Sequence, residues 1–245
     1  MTTGSNRDLL ERQIRNLFVV DGEGRLARVN EPGGGSPPLF FIGRATDGCV
    51  AFVSPQLPPR AASQLLELAA KEPATSEFVR PAHVLEVAAA VARAAGIPAT
   101  TRRGPAYIAD ADPPRIAVDA DVVAASGRLL HPDLAAKWDG PRLPALELAF
   151  GVEAAGRVVA LCHSARLGPD DAEAGVETVE AFRGRGYATA ATAAWVNAVR
   201  ASGRAAFYST DWDNTASQGV ARRVGLRLLG ELSSVNAGGH EVSGP

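Results

Sequence analysis

The segment that most constrains the fold is a strand that passes through a glycine turn directly into a helix. The strand ends near Thr178 and Val179, where small and β-branched residues alternate. The turn follows as Arg183-Gly-Arg-Gly186. The helix after it has one apolar face at a 3.6-residue period, formed by Tyr187, Ala191, Ala194, Trp195, Ala198 and Val199. Many α/β proteins contain a turn of this kind.

The turn and the first turn of the helix together predict an anion site. Gly184 and Gly186 allow the backbone to turn sharply and to approach a ligand closely. The first amides of a helix lack intrahelical partners and lie at the positive end of its dipole, and Arg183 and Arg185 add full charges. A phosphate or pyrophosphate is the natural occupant. The P-loop lysine is absent, and Thr189 stands where a dinucleotide motif needs its third glycine.

A third pattern does fit. Arg183-x-x-Gly186-x-Ala188 resembles the R/Q-x-x-G-x-G/A signature of the GNAT superfamily of acyl-CoA-dependent N-acyltransferases. The order of the predicted elements also resembles the second half of that family, over roughly residues 150 to 235. These elements are the helix ending at Gly203, a strand over 205–210, Asn214-x-x-Ser217, a helix over 216–224 closed by Gly225, and a last strand over 226–235.

The resemblance implies an α/β (α+β) fold with a mixed central sheet flanked by helices in the C-terminal half. We divide the chain into an N-terminal α+β accessory domain, residues 1–110, and a GNAT-like acetyltransferase domain, residues 111–245. The acidic and proline-rich run Asp110–Pro114 is the predicted linker. The accessory domain is expected to shape the acceptor pocket or to form an oligomer interface, such as that of a homodimer.

Local patterns give further predictions for both halves. Ser5 or Asn6 is expected to cap a first helix. A hairpin is predicted around Thr46-Asp-Gly48. The remaining predictions are helices over 60–70, 81–95, 119–130 and 133–138, and strands over 144–152 and 157–167.

The resemblance also implies which residues contact the coenzyme, acetyl-CoA. Backbone amides near Arg185 to Ala188, including that of Tyr187, would hold the pyrophosphate, with the side chains of Arg183 and Arg185 assisting. Thr178 and Val179 match the splayed strand of the family, whose free backbone edge pairs with the pantetheine amides. Asn214 and Ser217 match the family's Asn-x-x-Ser, which contacts the coenzyme arm from the other side. Asn214 is equally suited to cap the helix that follows.

The reaction of the family, attack of an amine on a thioester, requires a base and a way to stabilise the leaving thiolate. Glu177 is our first choice of base, with Glu173 and Glu147 as alternatives; Glu177 is also compatible with a solvated carboxylate or an arginine partner. Many family members carry a tyrosine that acts as the general acid, four residues before the glycine that ends the last helix. This chain has Ala221 at that position. Tyr208 and Ser217 are the substitutes we propose, unless both are structural or no residue acts as acid.

Neighbouring side chains on a strand point to opposite faces, which argues against a Cys162–His163 nucleophilic pair. One of the two is expected to line the acceptor pocket. The only other cysteine is Cys49, and two distant thiols form neither a disulfide framework nor a zinc pattern, so no metal is predicted.

The composition excludes several classes of function. The chain of 245 residues is 46% hydrophobic, enough for a substantial core, and carries 25 basic and 27 acidic residues for a net charge of −2. This balance argues against a general binder of nucleic acids or anionic membranes. We find no signal peptide and no apolar run of about 18 residues, so a cytoplasmic location is expected.

Three functions compete at this point. The leading one is an acetyl-CoA-dependent N-acetyltransferase that acts on a primary amine of a small molecule or a protein. The second is an acyl-CoA-binding sensor or interaction module without catalysis, which the missing tyrosine at Ala221 keeps open. The third is another phosphate-ligand enzyme, such as a kinase-like protein, which the absent lysine disfavours. Acceptor, acyl chain length and oligomeric state stay open.

Overall fold

The computed structural model describes residues 4–31, 33–138 and 140–238. The helices are α1 (Asn6–Leu17), α2 (Pro59–Ala69), α3 (His83–Ala94), α4 (Pro132–Ala135), α5 (Tyr187–Ala201) and α6 (Thr215–Val224). The strands are β1 (Phe18–Val20), β2 (Leu26–Val29), β3 (Phe40–Ala45), β4 (Gly48–Val53), β5 (Ala99–Ile108), β6 (Asp121–Ala124), β7 (Ala149–Ala154), β8 (Arg157–Leu167), β9 (Asp171–Thr178), β10 (Ala205–Ser209) and β11 (Arg227–Ala237). A short 3-10 helix, Glu180–Phe182, precedes α5.

The described residues form two compact units. One contains residues up to 107 together with 209–214 and 228–238, and the other contains 108–208 and 215–227. The predicted domains, 1–110 and 111–245, were contiguous, and their outer ends, residues 1–3 and 239–245, lie outside the described residues. The main difference is that most of β11 packs with the N-terminal unit, because β11 pairs antiparallel with β3.

The N-terminal unit is a sheet in the order β4-β3-β11-β5, accompanied by the β1–β2 hairpin. Ser5 caps α1, since its hydroxyl accepts a hydrogen bond from the Asp8 amide at 3.2 Å, as predicted. The β3–β4 hairpin turns at Thr46-Asp-Gly48, which confirms that prediction. The apolar core of the N-terminal unit lies between the sheet and the helices α2 and α3. Its buried members include Phe40, Leu65, Leu85 and Val235.

A buried carboxylate ties the strands of this unit together. Glu231 on β11 is fully buried, and it accepts from Arg44 of β3 at 2.8 Å and from Arg103 of β5 at 2.6 Å. The Trp212 indole and the Ser233 hydroxyl donate to the same carboxylate, at 2.7 and 3.0 Å. A buried carboxylate is tolerated only when it is paired and hydrogen-bonded in this way.

The second unit is a sheet in the order β10-β9-β8-β7-β6. The β6–β7, β7–β8 and β8–β9 pairs are antiparallel, and β9–β10 is parallel, so the sheet is mixed as predicted. Helix α5 packs on β7, β8 and β9. Trp195 of α5 is fully buried, and its indole donates to the Ser164 hydroxyl on β8 at 3.0 Å.

The helix predicted over residues 119–130 is wrong. Residues Asp121–Ala124 form the edge strand β6, where Val122 and Val123 pair with Val152 and Gly151 of β7. Two consecutive β-branched residues favour this pleated surface over a helix. The strand predicted over 144–152 begins only at Ala149.

Among the described helices, none combines the length and the apolar character needed to cross a membrane.

Candidate active site

Strands β9 and β10 run side by side for a short distance and then part. Their parallel register joins Asp171–Glu173 to Ala205–Phe207. Beyond this point β9 continues to Thr178 along β8, to which it stays paired. Beyond Glu173, β9 therefore has no paired residue on β10 in the described part of the chain, and we call this unpaired edge, beside Ala174–Thr178, the opening.

The backbone groups that face this opening can be assigned from the register. The Val179 amide donates to the Val159 carbonyl at 2.9 Å, and the Val179 carbonyl accepts from the Phe182 amide at 2.9 Å. Since the hydrogen-bonding direction alternates along a strand, the N–H and C=O groups of Val176 and Thr178 point away from β8, towards the opening. Two strand residues were predicted to contact the coenzyme. The backbone groups of Thr178 point towards the opening, whereas the Val179 amide is hydrogen-bonded to the Val159 carbonyl.

The N-terminus of α5 lies next along the chain and has free amides. Gly186 is its N-cap with φ +81°, and the first turn has no side-chain cap. The first amide of the helix to bond within it is that of Ala190, to the Gly186 carbonyl at 3.0 Å. The preceding amides, from Tyr187 to Thr189, therefore lack an intrahelical acceptor.

Both turn glycines leave space for a ligand. Gly184 has φ +76°, and a Cβ built on it would meet no described atom within 4 Å. A Cβ on Gly186 would meet only Val118 Cγ1, at 3.5 Å. The positive φ values explain why glycine stands at both positions.

The two arginines of the turn differ in their contacts. The Arg185 guanidinium lies 5.1 Å from the centre of the Phe182 ring and donates to the Ala181 carbonyl at 3.2 Å. Arg183 is exposed, and its side chain makes no hydrogen bond or ion pair with another described residue. Arg183 is thus available for a phosphate without breaking an existing contact.

Tyr208 and Ser217, predicted independently as acid candidates, lie against each other. The Tyr208 hydroxyl and Ser217 Oγ are 2.6 Å apart, and Tyr208 is only 2% exposed. Tyr208 follows Phe207, the last residue of β10 that pairs with β9, so it stands where the strands part. Asn214 comes directly before α6 in the sequence, and its amide donates to the Asp211 carbonyl at 3.1 Å.

The opening has two faces, which strand alternation separates. Ser164 pairs with Ala174 and bonds to Trp195, so these positions face α5. Tyr208 falls on this same face, because Phe207 and its partner Glu173 point the other way. The opposite face carries Gly175 and Glu177 of β9 and His163 of β8.

Glu177, the predicted base, is held by two neighbouring residues. The Trp138 indole donates to Oε1 at 3.1 Å, and the Lys137 ammonium lies 3.1 Å from Oε2. Only Oε1 is hydrogen-bonded, because Oε2 has the ammonium nearby but no hydrogen-bond partner among the described residues. The side chain is 21% exposed.

His163 lies beside Glu177 on this face. Its imidazole occupies the space above Gly175, where an added Cβ would be 2.7 Å from Nε2. The Trp138 ring meets the imidazole edge-to-face, with centroids 4.8 Å apart. Burial lowers the pKa of His163, Arg166 lowers it further, and Glu177 acts in the opposite direction. The imidazole is therefore neutral at pH 7.

The remaining candidates lie elsewhere or are unreactive. Cys162 faces α5, and burial raises the pKa of its thiol far above the usual range, which rules out a thiolate nucleophile at neutral pH. Glu147 is exposed and pairs with Arg204 at 2.9 Å; Arg204 in turn donates to Gly168, at the opposite end of β9 from Glu177. Glu173 is fully buried.

Within the described ranges, no group of three or more acidic, histidine or cysteine side chains is arranged to hold a metal ion.

Sequence reasoning missed Lys137 and Gly175, and it favoured a core or lid role for Trp138 over a contact with substrate. Trp138 and Glu177 are 39 residues apart in sequence, and only the packing of the segment after α4 joins them. The one signal available was the alternation of β8, which put His163 on the face opposite to Cys162.

Comparisons with known proteins gave one family match and several similar solved structures. Residues 106–227 match the model of the "Acetyltransferase (GNAT) domain" family. No curated protein matches the chain. Similar solved structures are a GCN5-related N-acetyltransferase-like protein from Streptococcus suis 89/1591 (16% identity, 94% of this chain and 99% of that one, TM-score 0.49) and an acetyltransferase from Colwellia psychrerythraea (14%, 97% and 98%, 0.44). A GCN5-related N-acetyltransferase from Kribbella flavida is 21% identical over 59% of this chain and 62% of its own, with a TM-score of 0.44.

Proposed function

Residues 106–227 form an acetyltransferase domain of the GNAT superfamily, and from this premise we propose that the protein transfers an acetyl group from acetyl-CoA to a primary amine of a small molecule or a protein. The observation that carries the proposal is the opening between β9 and β10, which leads to the uncapped N-terminus of α5. This arrangement offers an extended ligand a free strand edge and, at one end, a set of amides for an anion.

The residues present fit the two polar parts of acetyl-CoA. The amides from Tyr187 to Thr189 and the space above Gly184 and Gly186 suit the pyrophosphate, with Arg183 as the mobile counter-charge. The outward backbone groups of Val176 and Thr178 suit the amides of the pantetheine arm, as in strand addition. The Thr178 hydroxyl is buried, and Oγ1 has no hydrogen-bond partner among the described residues, which leaves it a ligand's polar group to bond.

Acetyl-CoA, when bound, supplies an activated thioester. With its pyrophosphate at Gly186, its arm would run along β9 from Thr178 back towards the point where the strands part, between Gly175 and Tyr208. The Tyr208 hydroxyl lies 2.6 Å from Ser217 Oγ and donates weakly to the Ser217 carbonyl at 3.4 Å. With Ser217 Oγ as the donor of the short contact, the tyrosine proton would turn to the departing sulfur as a hydrogen bond or a transferred proton. This pair takes the place of the tyrosine that the family resemblance leads one to expect at Ala221.

The acceptor amine would approach from the other face, where Trp138 and Glu177 lie. Glu177 contributes a carboxylate to this face, and the Lys137 ammonium lies beside it at 3.1 Å, so the pair has no net charge. Trp138 donates to Oε1, and the Lys137 ammonium lies 3.1 Å from Oε2, so we assign Glu177 to holding Trp138 in place.

The test is turnover of acetyl-CoA with a panel of primary amines: a diamine, an amino acid, an arylalkylamine and an aminoglycoside. Release of free thiol that depends on one of these amines supports the proposal. Tyr208→Phe should lower kcat by about 10²-fold, the usual size of an acid–base contribution. Ser217→Ala, which keeps the tyrosine hydroxyl, should lower it less.

The competing function is coenzyme binding without catalysis, which Ala221 at the usual tyrosine position favours. Tight binding of acetyl-CoA, with no thiol released in the presence of any amine of the panel or of a mixture of purified proteins, would support the sensor and contradict the transferase.

A further inference from the structure

His163 stands where a proton from the acceptor amine would have to go. Gly175, above which its imidazole lies, belongs to the part of β9 beyond the last pair with β10. The imidazole is therefore adjacent to the expected position of the thioester, on the face opposite to Tyr208. Glu177 is two residues farther along the strand, towards the pyrophosphate end.

The surroundings of His163 resemble the support of a base more than a packed core. Gly175 makes room for the ring, and Trp138 fixes its orientation at a centroid distance of 4.8 Å. Trp138 is itself anchored by its hydrogen bond to Glu177. A hydrogen bond with the backbone of Ser164 also holds the ring, and the side chain of His163 is partly buried.

We propose that His163 is the catalytic base of the acetyl transfer, and that Glu177 and Trp138 are positioning residues that act through it. This inference rests on the proposed function. The charged groups facing the imidazole are Glu177 of β9 and Arg166 of its own strand, with Lys137 beyond Glu177. Glu177 stabilises the imidazolium that forms, and burial keeps the resting imidazole neutral.

The transfer removes two protons from the acceptor ammonium. The acceptor ammonium loses one proton to a ring nitrogen of His163, and the freed lone pair of the amine forms the C–N bond. The C–S bond breaks with its electron pair on sulfur, which takes a proton from the Tyr208 hydroxyl. The second amine proton leaves to solvent, solvent reprotonates Tyr208, and His163 releases its proton. The products are the amide, free coenzyme A and one proton.

The first experiment compares His163→Gln, Glu177→Gln and the control His83→Gln, whose histidine is exposed on α3. With the amine found by the panel at saturation, His163→Gln should lower kcat by about 10²-fold or more and remove the acid limb of the pH profile. Glu177→Gln should keep that limb and shift it to lower pH, because the carboxylate that raises the pKa of His163 is gone. Calorimetric affinity for acetyl-CoA should stay within about twofold in all three.

The second experiment does not depend on turnover. Imidazole nitrogen NMR of the free protein should show one histidine that titrates below the usual range, absent in His163→Gln and shifted further down in Glu177→Gln. A His163→Gln variant with unchanged kcat and pH profile would overturn the inference alone. Loss of activity and of the acid limb in Glu177→Gln, with His163→Gln active, would make Glu177 the base. Absence of any amine turnover in the wild type would overturn the proposed function and this inference with it.

Discussion

Because Gly175 has no Cβ, the imidazole of His163 can lie directly above it. The φ of Gly175 is outside the left-handed range, so alanine is compatible with the backbone, but the new Cβ would be 2.7 Å from His163 Nε2. The ring must therefore move. We expect Gly175→Ala to lower kcat at least tenfold while affinity for acetyl-CoA and the thermal midpoint stay close to wild type. Gly22→Ala, where the Cβ meets nothing within 4 Å, is the control. Full activity in Gly175→Ala would show that the position of the imidazole does not matter.

Individual site residues differ in how far the sequence alone could identify them. Tyr208 and Ser217 were named because a family motif lacked its tyrosine, and the structure brings their hydroxyls to 2.6 Å. The arrangement of His163, Gly175 and Trp138 was not predicted, since their separation in sequence follows no helical or strand period. Only the register of β8 against β9 and the turn after α4 bring these three together.

Helix α5 must be held firmly, because its first turn offers the amides for the pyrophosphate. Trp195 anchors it through full burial and a hydrogen bond to Ser164. We expect Trp195→Ala to lower the free energy of unfolding by about 3–5 kcal/mol. Trp195→Phe keeps an aromatic ring but leaves Ser164 without its donor, and should cost less than the alanine variant. Urea unfolding of both variants measures this, and a cost below about 1 kcal/mol for Trp195→Ala would contradict an anchoring role.

The elements that the sequence predicted well carry one clear period and a clear stop. Helix α5 shows a single apolar stripe, and α6 ends at Val224 directly before Gly225. Strand β5 escaped prediction because its first half is half-buried or exposed and its second half is buried on both faces, so no alternation runs through it. The four residues of β6 were mistaken for a helix because a short edge strand has too few positions to show a period of two.

The division of the chain into units bears on which fragments can fold. Strand β11 lies near the C-terminal end of the sequence, but it pairs with β3, and its buried Glu231 is held by Arg44 and Arg103. A fragment of residues 111–245 would expose this strand, because the fragment lacks β3 and both arginines. We expect that fragment to bind a hydrophobic dye and to unfold without cooperativity.

A point variant of the full chain is the control for this fragment. The full chain with Glu231→Ala should be destabilised by about 3–5 kcal/mol, because two arginines lose their buried partner, and it should still unfold cooperatively. If the fragment 111–245 unfolds cooperatively and acetylates amines at the full rate, then the N-terminal unit is a dispensable accessory domain, and β11 needs neither β3 nor the arginines.

The most direct measurement is calorimetric titration of acetyl-CoA into the wild type, Gly186→Trp and Gly156→Trp. Gly186 and Gly156 have similar positive φ values, +81° and +72°, so both variants carry the same kind of backbone strain. Only the first would fill the space beside the amides of α5. We predict that the wild type and Gly156→Trp bind acetyl-CoA and that a folded Gly186→Trp does not. Equal binding by all three proteins would contradict an acetyl-CoA site at the start of α5, as would no binding by the wild type.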